Sequence, residues 1–516
     1  MMTMRFWFVI VGAFLVSHGV AECRLIRVGP GRSYANLQPA ATAAAPGDTI
    51  VFDAGIYAGG QYVTGLKGTP SAWITLRCMP GDSAIVRGGN EAWHLTDPAY
   101  VRVEGFVFEQ QTANGVNIDD GGDYATPAHH IRVLRCTFRN MSGTGNNDLL
   151  KLSGLDDFEI RESRFIAGAA GGSGIDMVGC HRGTIEKNEF RQMGSNAIQA
   201  KGGTEHVTIA ANYFEQCGSR TLNLGGSTGL QYFRPIDAPF EAANLRVHAN
   251  IIVGSEAPVA YVGCVKTEVV NNTIFKPGKW VVRILQETVD TARFLSCGEN
   301  TFQNNIVLQG NLPTETNIGP NTRPWTFVYA HNVWYNAQNS VWGGPSIPVA
   351  DPWMIVGANP LFADTASRDF RPIAGSRAIG AGGSVASPTH DFLGAPFNTP
   401  RSAGAIEGNP PALAVEGFSW TPESRLLLSA YPNPFNPVTR IRFQVPGESG
   451  RSGSRSVVSV VVYDIQGRPV RTLHDGPLEA GPSVVEFNGK GLSSGIYLCR
   501  LRVGSALVSL PLILTK

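Results

Sequence analysis

A short element recurs through the middle of the chain at uneven intervals: a polar residue, any residue, then a large apolar one. It reads Cys136-Thr137-Phe138, Ser163-Arg164-Phe165, Asn188-Glu189-Phe190, Asn212-Tyr213-Phe214, Asn250-Ile251-Ile252, Asn272-Thr273-Ile274, Asn304-Asn305-Ile306 and Asn332-Val333-Trp334. Successive copies lie 27, 25, 24, 38, 22, 32 and 28 residues apart. A floor of 22 residues with variable excess marks a solenoid whose coils share one circuit and let loops out of some turns. A second element follows the first: Leu150-Lys151-Leu152, Ile175-Asp176-Met177, Ile198-Gln199-Ala200, Leu222-Asn223-Leu224, Val259-Ala260-Tyr261 and Val282-Arg283-Ile284. Apolar residues flanking a variable centre describe a short strand with one buried face. Stacking such strands coil on coil builds parallel sheets rising about 4.8 Å per coil. Three sheets joined by turns then enclose a column of aliphatic and aromatic side chains. The period-two texture excludes helical repeats.

The asparagine at six of the eight first-element positions reads as structural. Asparagine tolerates turn conformations, and stacked amides hydrogen-bond from coil to coil. The eight cysteines follow the same geometry. Cys180 and Cys264 share an offset three coils apart, roughly 14 Å at this rise and too far for a disulfide. Most cysteines are expected as small buried apolar residues, and Cys23 with Cys78 is the pairing to test.

With 516 residues, 43% hydrophobic and 16% charged, the chain folds, and into more than one domain. Lys plus Arg number 42 against 41 Asp plus Glu, which excludes a globally basic nucleic-acid binder. An acidic ligand has to meet a local basic patch instead. Residues 1–21 read as a secretory signal: Arg5, the apolar run Phe6 to Val16, then small Gly19 and Ala21 before Glu22. No later stretch is apolar for long enough to span a bilayer as a helix, so the mature protein is expected to be secreted or surface-attached, with no membrane span.

At the N-terminus, Tyr34 to Ala45 has an Ala-rich amphipathic helical pattern, suited to capping the exposed end of a solenoid. The segments Tyr34-Ala35-Asn36-Leu37-Gln38, Pro46-Gly47-Asp48-Thr49-Ile50, Gly55-Ile56-Tyr57 and Trp73-Ile74-Thr75-Leu76-Arg77 resemble the secreted pectin-lyase-like superfamily. So do Asn359-Pro360-Leu361-Phe362, Asp369-Phe370-Arg371, Asp391-Phe392-Leu393-Gly394 and Gly404-Ala405-Ile406-Glu407 near the solenoid's far end. The resemblance covers residues 24–408 and implies an all-β, right-handed parallel β-helix. Asn409-Pro410-Pro411 opens a linker over 409–424. Over 425–516, alternating runs at Val457 to Tyr463, Ser483 to Phe487 and Ile496 to Val503 fit a small immunoglobulin-like β-sandwich. There Tyr431-Pro432-Asn433-Pro434, Val462-Tyr463-Asp464-Ile465-Gln466-Gly467-Arg468 and Leu492-Ser493-Ser494-Gly495-Ile496-Tyr497 resemble type IX secretion C-terminal sorting domains. That likeness implies a secretion-machinery partner. The alternative is an accessory binding module.

The centres of the second element form one outward row: Lys151, Asp176, Gln199, Asn223, Ala260 and Arg283, with Lys201 two residues beyond Gln199. Mixed amides and charges suit the hydroxyls of an extended sugar chain, and Arg and Lys suit uronate carboxylates. The 38-residue step holds the longest insertion, whose Tyr232, Phe233 and Arg234 read as a cleft wall. Arg220 precedes one row strand and Glu287 follows another. The partner expected is an acidic polysaccharide, and the favoured chemistry is β-elimination. It assigns Lys201 as base, with its amine tuned by neighbouring cations, and Arg283 or Arg220 as carboxylate neutraliser. Lys151, Asp176, Gln199, Asn223, Arg234 and Glu287 are assigned to substrate binding. Some β-helix lyases resembling this arrangement pair the Lys with an Arg one coil later; here Leu224 and Gly225 stand at that place. Calcium is the alternative neutraliser, with Asp119, Asp120 and Asp123 as candidate ligands. No metal site is assigned. His181 and His206 near the same face read as structural. A hydrolase needs two carboxylates, and the row supplies only Asp176. A C5-epimerase uses much the same groups as a lyase. A non-catalytic glycan binder or adhesin is the alternative outside enzymes.

Overall fold

The computed structural model describes residues 23–79, 83–408, 428–445, 455–503 and 506–515. The signal segment at 1–21 and the linker at 409–424 lie outside them.

From Leu25 to Val356 the chain winds through three parallel sheets. The first has twelve strands, running from Leu25–Val28 to Val328–Ala330. The second has ten, from Gln61–Thr64 to Thr316–Ile318, and the third twelve, from Gly55–Ala58 to Ile355–Val356. The apolar flank of the second element is in direct register through Leu150, Ile175, Ile198, Leu222, Val259 and Val282. The aromatic positions of the first element point inward and stack. Phe108, Phe138, Phe165, Phe190 and Phe214 have successive ring centroids 5.0, 4.9, 4.6 and 4.9 Å apart. These spacings match the coil rise, so one repeated residue type fills the core without a gap.

The amide ladder is present. Asn188, Asn212, Asn250, Asn272, Asn305 and Asn332 are fully buried. In each, the side-chain oxygen accepts the previous member's backbone N–H or amide, as in Asn188 N to Asn212 Oδ1 at 2.9 Å and Asn212 N to Asn250 Oδ1 at 2.9 Å. Ser163 continues the ladder upward, and Asp351 closes it by accepting from Asn332. One register differs from the sequence reading. The ladder passes through Asn305, not Asn304, because Ile306 pairs with Thr273 and Val307 with Ile274. Asn304 lies one residue off and bonds instead to Asn271 and Gly383.

The helix Leu37–Ala43 buries Leu37, Ala40 and Ala41 against the first coil. At the other end, the segment around Phe370, Phe392 and Ile406 folds back onto the outer face of the third sheet, against Tyr213, Ile251, Phe275 and Leu308. Residues 428–445, 455–503 and 506–515 form two antiparallel sheets of three and four strands around their own core of Phe435, Phe443, Val460, Phe487 and Leu501. All eight cysteines are thiols; Cys23 is exposed while Cys78 is buried and bonds to Gly105 O, so the pairing suggested for them is not formed. Among the described residues no helix is long and apolar enough to cross a membrane.

Candidate functional site

Strand alternation in the second sheet sends Leu150, Ile175, Ile198 and Leu222 inward and the residue after each outward. The outward positions Lys151, Asp176, Gln199, Asn223, Ala260 and Arg283 are direct partners in consecutive coils. The row continues to Asn317 at one end and through Asn117 and His94 to Tyr62 at the other. Over its lower half lies a cleft of about 510 Å3. Gln199, Lys201, Arg220, Asn223, Arg283 and Glu287 line it together with Asn146, Ser195, Asn196, Ser219, Ser227, Glu256 and Trp280.

The cleft is charged in an ordered way. Asp176 is fully buried and accepts from Lys151, while Lys201 Nζ lies 3.4 Å from the same carboxylate. Lys201 is thus tied to an anion it shares with a second cation, rather than surrounded by cations. Behind them Asp148, also buried, sits 3.8 Å from Lys151. Burial and the facing Asp176 charge push its carboxyl up to about 7. On the opposite wall Arg220 pairs with Glu287 at 2.6 Å and reaches Asn223 Oδ1 at 3.3 Å. Arg283 stands apart. Its Nε donates to Asn317 at 3.0 Å and its guanidinium lies 4.5 Å over the Trp280 ring, which Lys279 also faces at 4.1 Å. Among the described residues no carboxylate forms an ion pair with Arg283. Burial and the nearby Arg220 charge hold its pKa below the usual guanidinium value, as befits a cation lacking its counter-ion.

The insertion after Leu224 covers the row by close backbone approach. Gly226 has φ +154°, and a Cβ there would fall 2.8 Å from Gln199 Nε2 and 3.4 Å from Lys201 Cβ, so the chain can lie flat on these side chains only with glycine. The place opposite Val262 where an Arg would follow is Gly225, whose Cβ would meet Val262 O at 1.7 Å.

Arg234 does not join the cleft. It is buried, with Nη1 2.7 Å from Asp156 Oδ1 and 2.9 Å from His181 Nδ1. Burial pushes the Asp156 carboxyl up, but bonds and charges from His181 and Arg234 outweigh it and hold the group well below the usual range. This cluster anchors the insertion to the solenoid, with Glu241 at its far end accepting from Gly202 N and Thr228 N, both at 2.9 Å. His206 pairs with Glu205 away from the cleft. The candidate calcium residues do not converge. Asp119 holds His94 at 2.6 Å, while Asp120 and Asp123 accept from Gly122 N and Ala125 N. No three His, Cys, Asp or Glu among the described residues form a metal-binding set.

Trp280 and Asn196 were missed by the sequence reading. Three residues before the row centres lies a second column, Ser173, Asn196, Arg220 and Ala257 in register. The same offset gives Asp148 from Lys151 and Trp280 from Arg283, so carrying the Arg220 offset along the chain was the available signal.

A family described as right handed beta helix region matches residues 92–307, and a secretion system C-terminal sorting domain matches 429–514. This chain is a right-handed parallel β-helix with a secretion sorting tail. The tail directs export to the cell surface or beyond it. Among solved structures, the β-helix chain is similar to pectate lyase Pel9A, at 16% identity over 76% of this chain and 98% of that one, TM-score 0.42. It is also similar to an alginate lyase from Paenibacillus sp. str. FPU-7, at 17% over 61% and 99%, TM-score 0.35. A tailspike protein of E. coli bacteriophage HK620 aligns at 12% over 90% and 87%, TM-score 0.35. No curated protein matches the exported β-helix chain.

Proposed function

We propose that the exported β-helix binds an acidic polysaccharide along the second sheet and cleaves it by β-elimination in the cleft between Lys201 and Arg283. The observation that carries this reading is Arg283: a half-buried cation that pairs with no carboxylate among the described residues, lining a cleft with the amides of Gln199 and Asn223. Such a group has an unmet preference for an anion, and in a sugar chain the anion is a uronate carboxylate. Neutralising that carboxylate acidifies the adjacent C5–H. Lys201 takes the proton, the electron pair becomes the C4–C5 double bond, and the C4–O bond breaks, its oxygen taking up the proton that Lys201 abstracted. That role needs the free amine at Lys201, whose Nζ lies 3.4 Å from the Asp176 carboxylate that Lys151 also contacts. Gln199 and Asn223 offer donors and acceptors to sugar hydroxyls. Glu287 orients Arg220 as a second cation beside Arg283.

Hydrolysis is the second reading, favoured by one observation: Glu256 and Glu287 both line the cleft. Each is engaged by a cation, Glu256 by Lys279 at 3.3 Å and Glu287 by Arg220, which disfavours the free acid a hydrolase requires.

The test is ultraviolet absorbance of the unsaturated uronate during incubation with alginate, pectate and glycosaminoglycans. The expected result is a rise on at least one of them that is lost in both Lys201→Ala and Arg283→Ala. A flat trace on every uronate polymer, accompanied by new reducing ends or by binding alone, overturns elimination.

A further inference from the structure

We infer that Cys264 and Cys297, adjacent thiols in the fold, are oxidised to a disulfide in the exported protein. The fold puts them face to face. Thr204, Ala242 and Cys264 form one column in consecutive coils, and the neighbouring column pairs Val265 with Gly298. Cys297 is therefore the next member after Cys264. One coil rise separates their Cα atoms by about 4.8 Å, inside the disulfide range of about 4.4–6.8 Å. Both side chains are fully buried. Both also converge on one amide, with Cys264 Sγ 3.9 Å from Asn300 Oδ1 and Cys297 Sγ 3.8 Å from Asn300 Nδ2.

The other cysteines have no such arrangement. Cys180 shares the column but is separated from Cys264 by Thr204 and Ala242. Export removes the chain from reducing surroundings. Burial raises the Cys264 thiol well above its usual value, so it is inert once folded, and oxidation belongs to folding, before this coil closes. One thiolate attacks a disulfide of an oxidant protein in the export compartment, giving a mixed disulfide. The second thiolate then displaces the oxidant, which leaves as a dithiol carrying both electrons and both protons.

The bond has a consequence for the cleft. It closes the chain between the two cysteines, which includes the Arg283 strand and the segment bearing Glu287. Cys297 N already donates to Gln286 Oε1 at 2.7 Å, beside Glu287. A covalent tie there fixes the wall that presents both groups.

The test is peptide mapping of the full chain exported through an oxidising periplasm, denatured in a thiol-alkylating reagent without reductant. The expected result is a linked peptide pair containing Cys264 and Cys297, about 2 Da lighter than the two reduced peptides. Reductant before alkylation separates the pair. In Cys264→Ser the link vanishes and Cys297 becomes alkylated. Recovery of both residues alkylated from the unreduced wild type, or linkage of either to Cys23, overturns the inference. Because the wild type carries the measurement, misfolding of a variant does not affect it.

Discussion

Arg283→Ala removes a cleft cation that pairs with no carboxylate among the described residues, and its effect on turnover can be worked from the geometry. The Nε of Arg283 is committed to Asn317, which leaves the two terminal nitrogens for a bidentate carboxylate. Two charge-assisted hydrogen bonds at about 1.5 kcal/mol each, the low end of the range because the site is open to water, give about 3 kcal/mol. That corresponds to a loss of roughly 100- to 200-fold in kcat/KM. Arg283→Lys keeps the charge but not the fork, and a loss of about tenfold is expected. The assay is initial rate on the best uronate polymer, run beside binding of the same polymer after its carboxyl groups have been reduced to alcohols. Arg283→Ala should leave binding of the reduced polymer nearly unchanged. A kcat/KM within about threefold of wild type would refute the assignment, since it leaves less than about 0.7 kcal/mol for a pair expected to contribute about 3 kcal/mol.

Other outcomes follow from the same structure. Asp148 has a folded-state pKa raised to about 7, above its unfolded value, by burial and by Asp176. Its contribution to stability is therefore present in acid and lost as pH rises through about 7; thermal melts across that range should fall, and Asp148→Asn should flatten the fall. Arg234→Ala removes one of the two guanidinium partners of the Asp156 carboxylate, leaving Arg182; a loss of about 2–3 kcal/mol in denaturant unfolding is expected. Because the Asp156 pKa is depressed, wild-type stability from this cluster is present at neutral pH and lost as pH falls below the ordinary carboxyl range, a dependence that is weaker in the variant, where His181 and Arg182 still contact Asp156. Asn212→Ala strands the buried N–H of Asn188 and removes a donor to Ile185 O; unfolding free energy should drop by about 2–4 kcal/mol, whereas a surface asparagine costs little.

The fold was legible because its core is periodic. The Phe stack and amide ladder repeat one residue type per coil, and that repetition survives variable loops. The slip from Asn304 to Asn305 arose where two asparagines adjoin, so that residue type alone could not set the register. In the tail, Leu428–Tyr431 and Val438–Val445 escaped notice, and so did two further strands, Pro469–Glu479 and Ala506–Leu514. The last two are the edges of the four-stranded sheet, where Pro477 and Pro511 are tolerated because one side of the strand needs no partner. The row on the second sheet followed from alternation, since a strand centre between two core residues must point outward. Arg234 did not, because the insertion folds back to Asp156, 78 residues away in sequence; a loop's landing place is set by contacts that no local pattern encodes. Trp280 lay within reach of the offset shared by Asn196 and Arg220.

The most direct test of the central claim, that the Lys201–Arg283 cleft cleaves by elimination, is the mass balance of the products from a defined uronate oligosaccharide. Elimination uses no water, so the masses of the two fragments are predicted to sum to that of the substrate, with the double bond on the non-reducing fragment end. Fragments that together weigh one water more would establish hydrolysis and contradict the account.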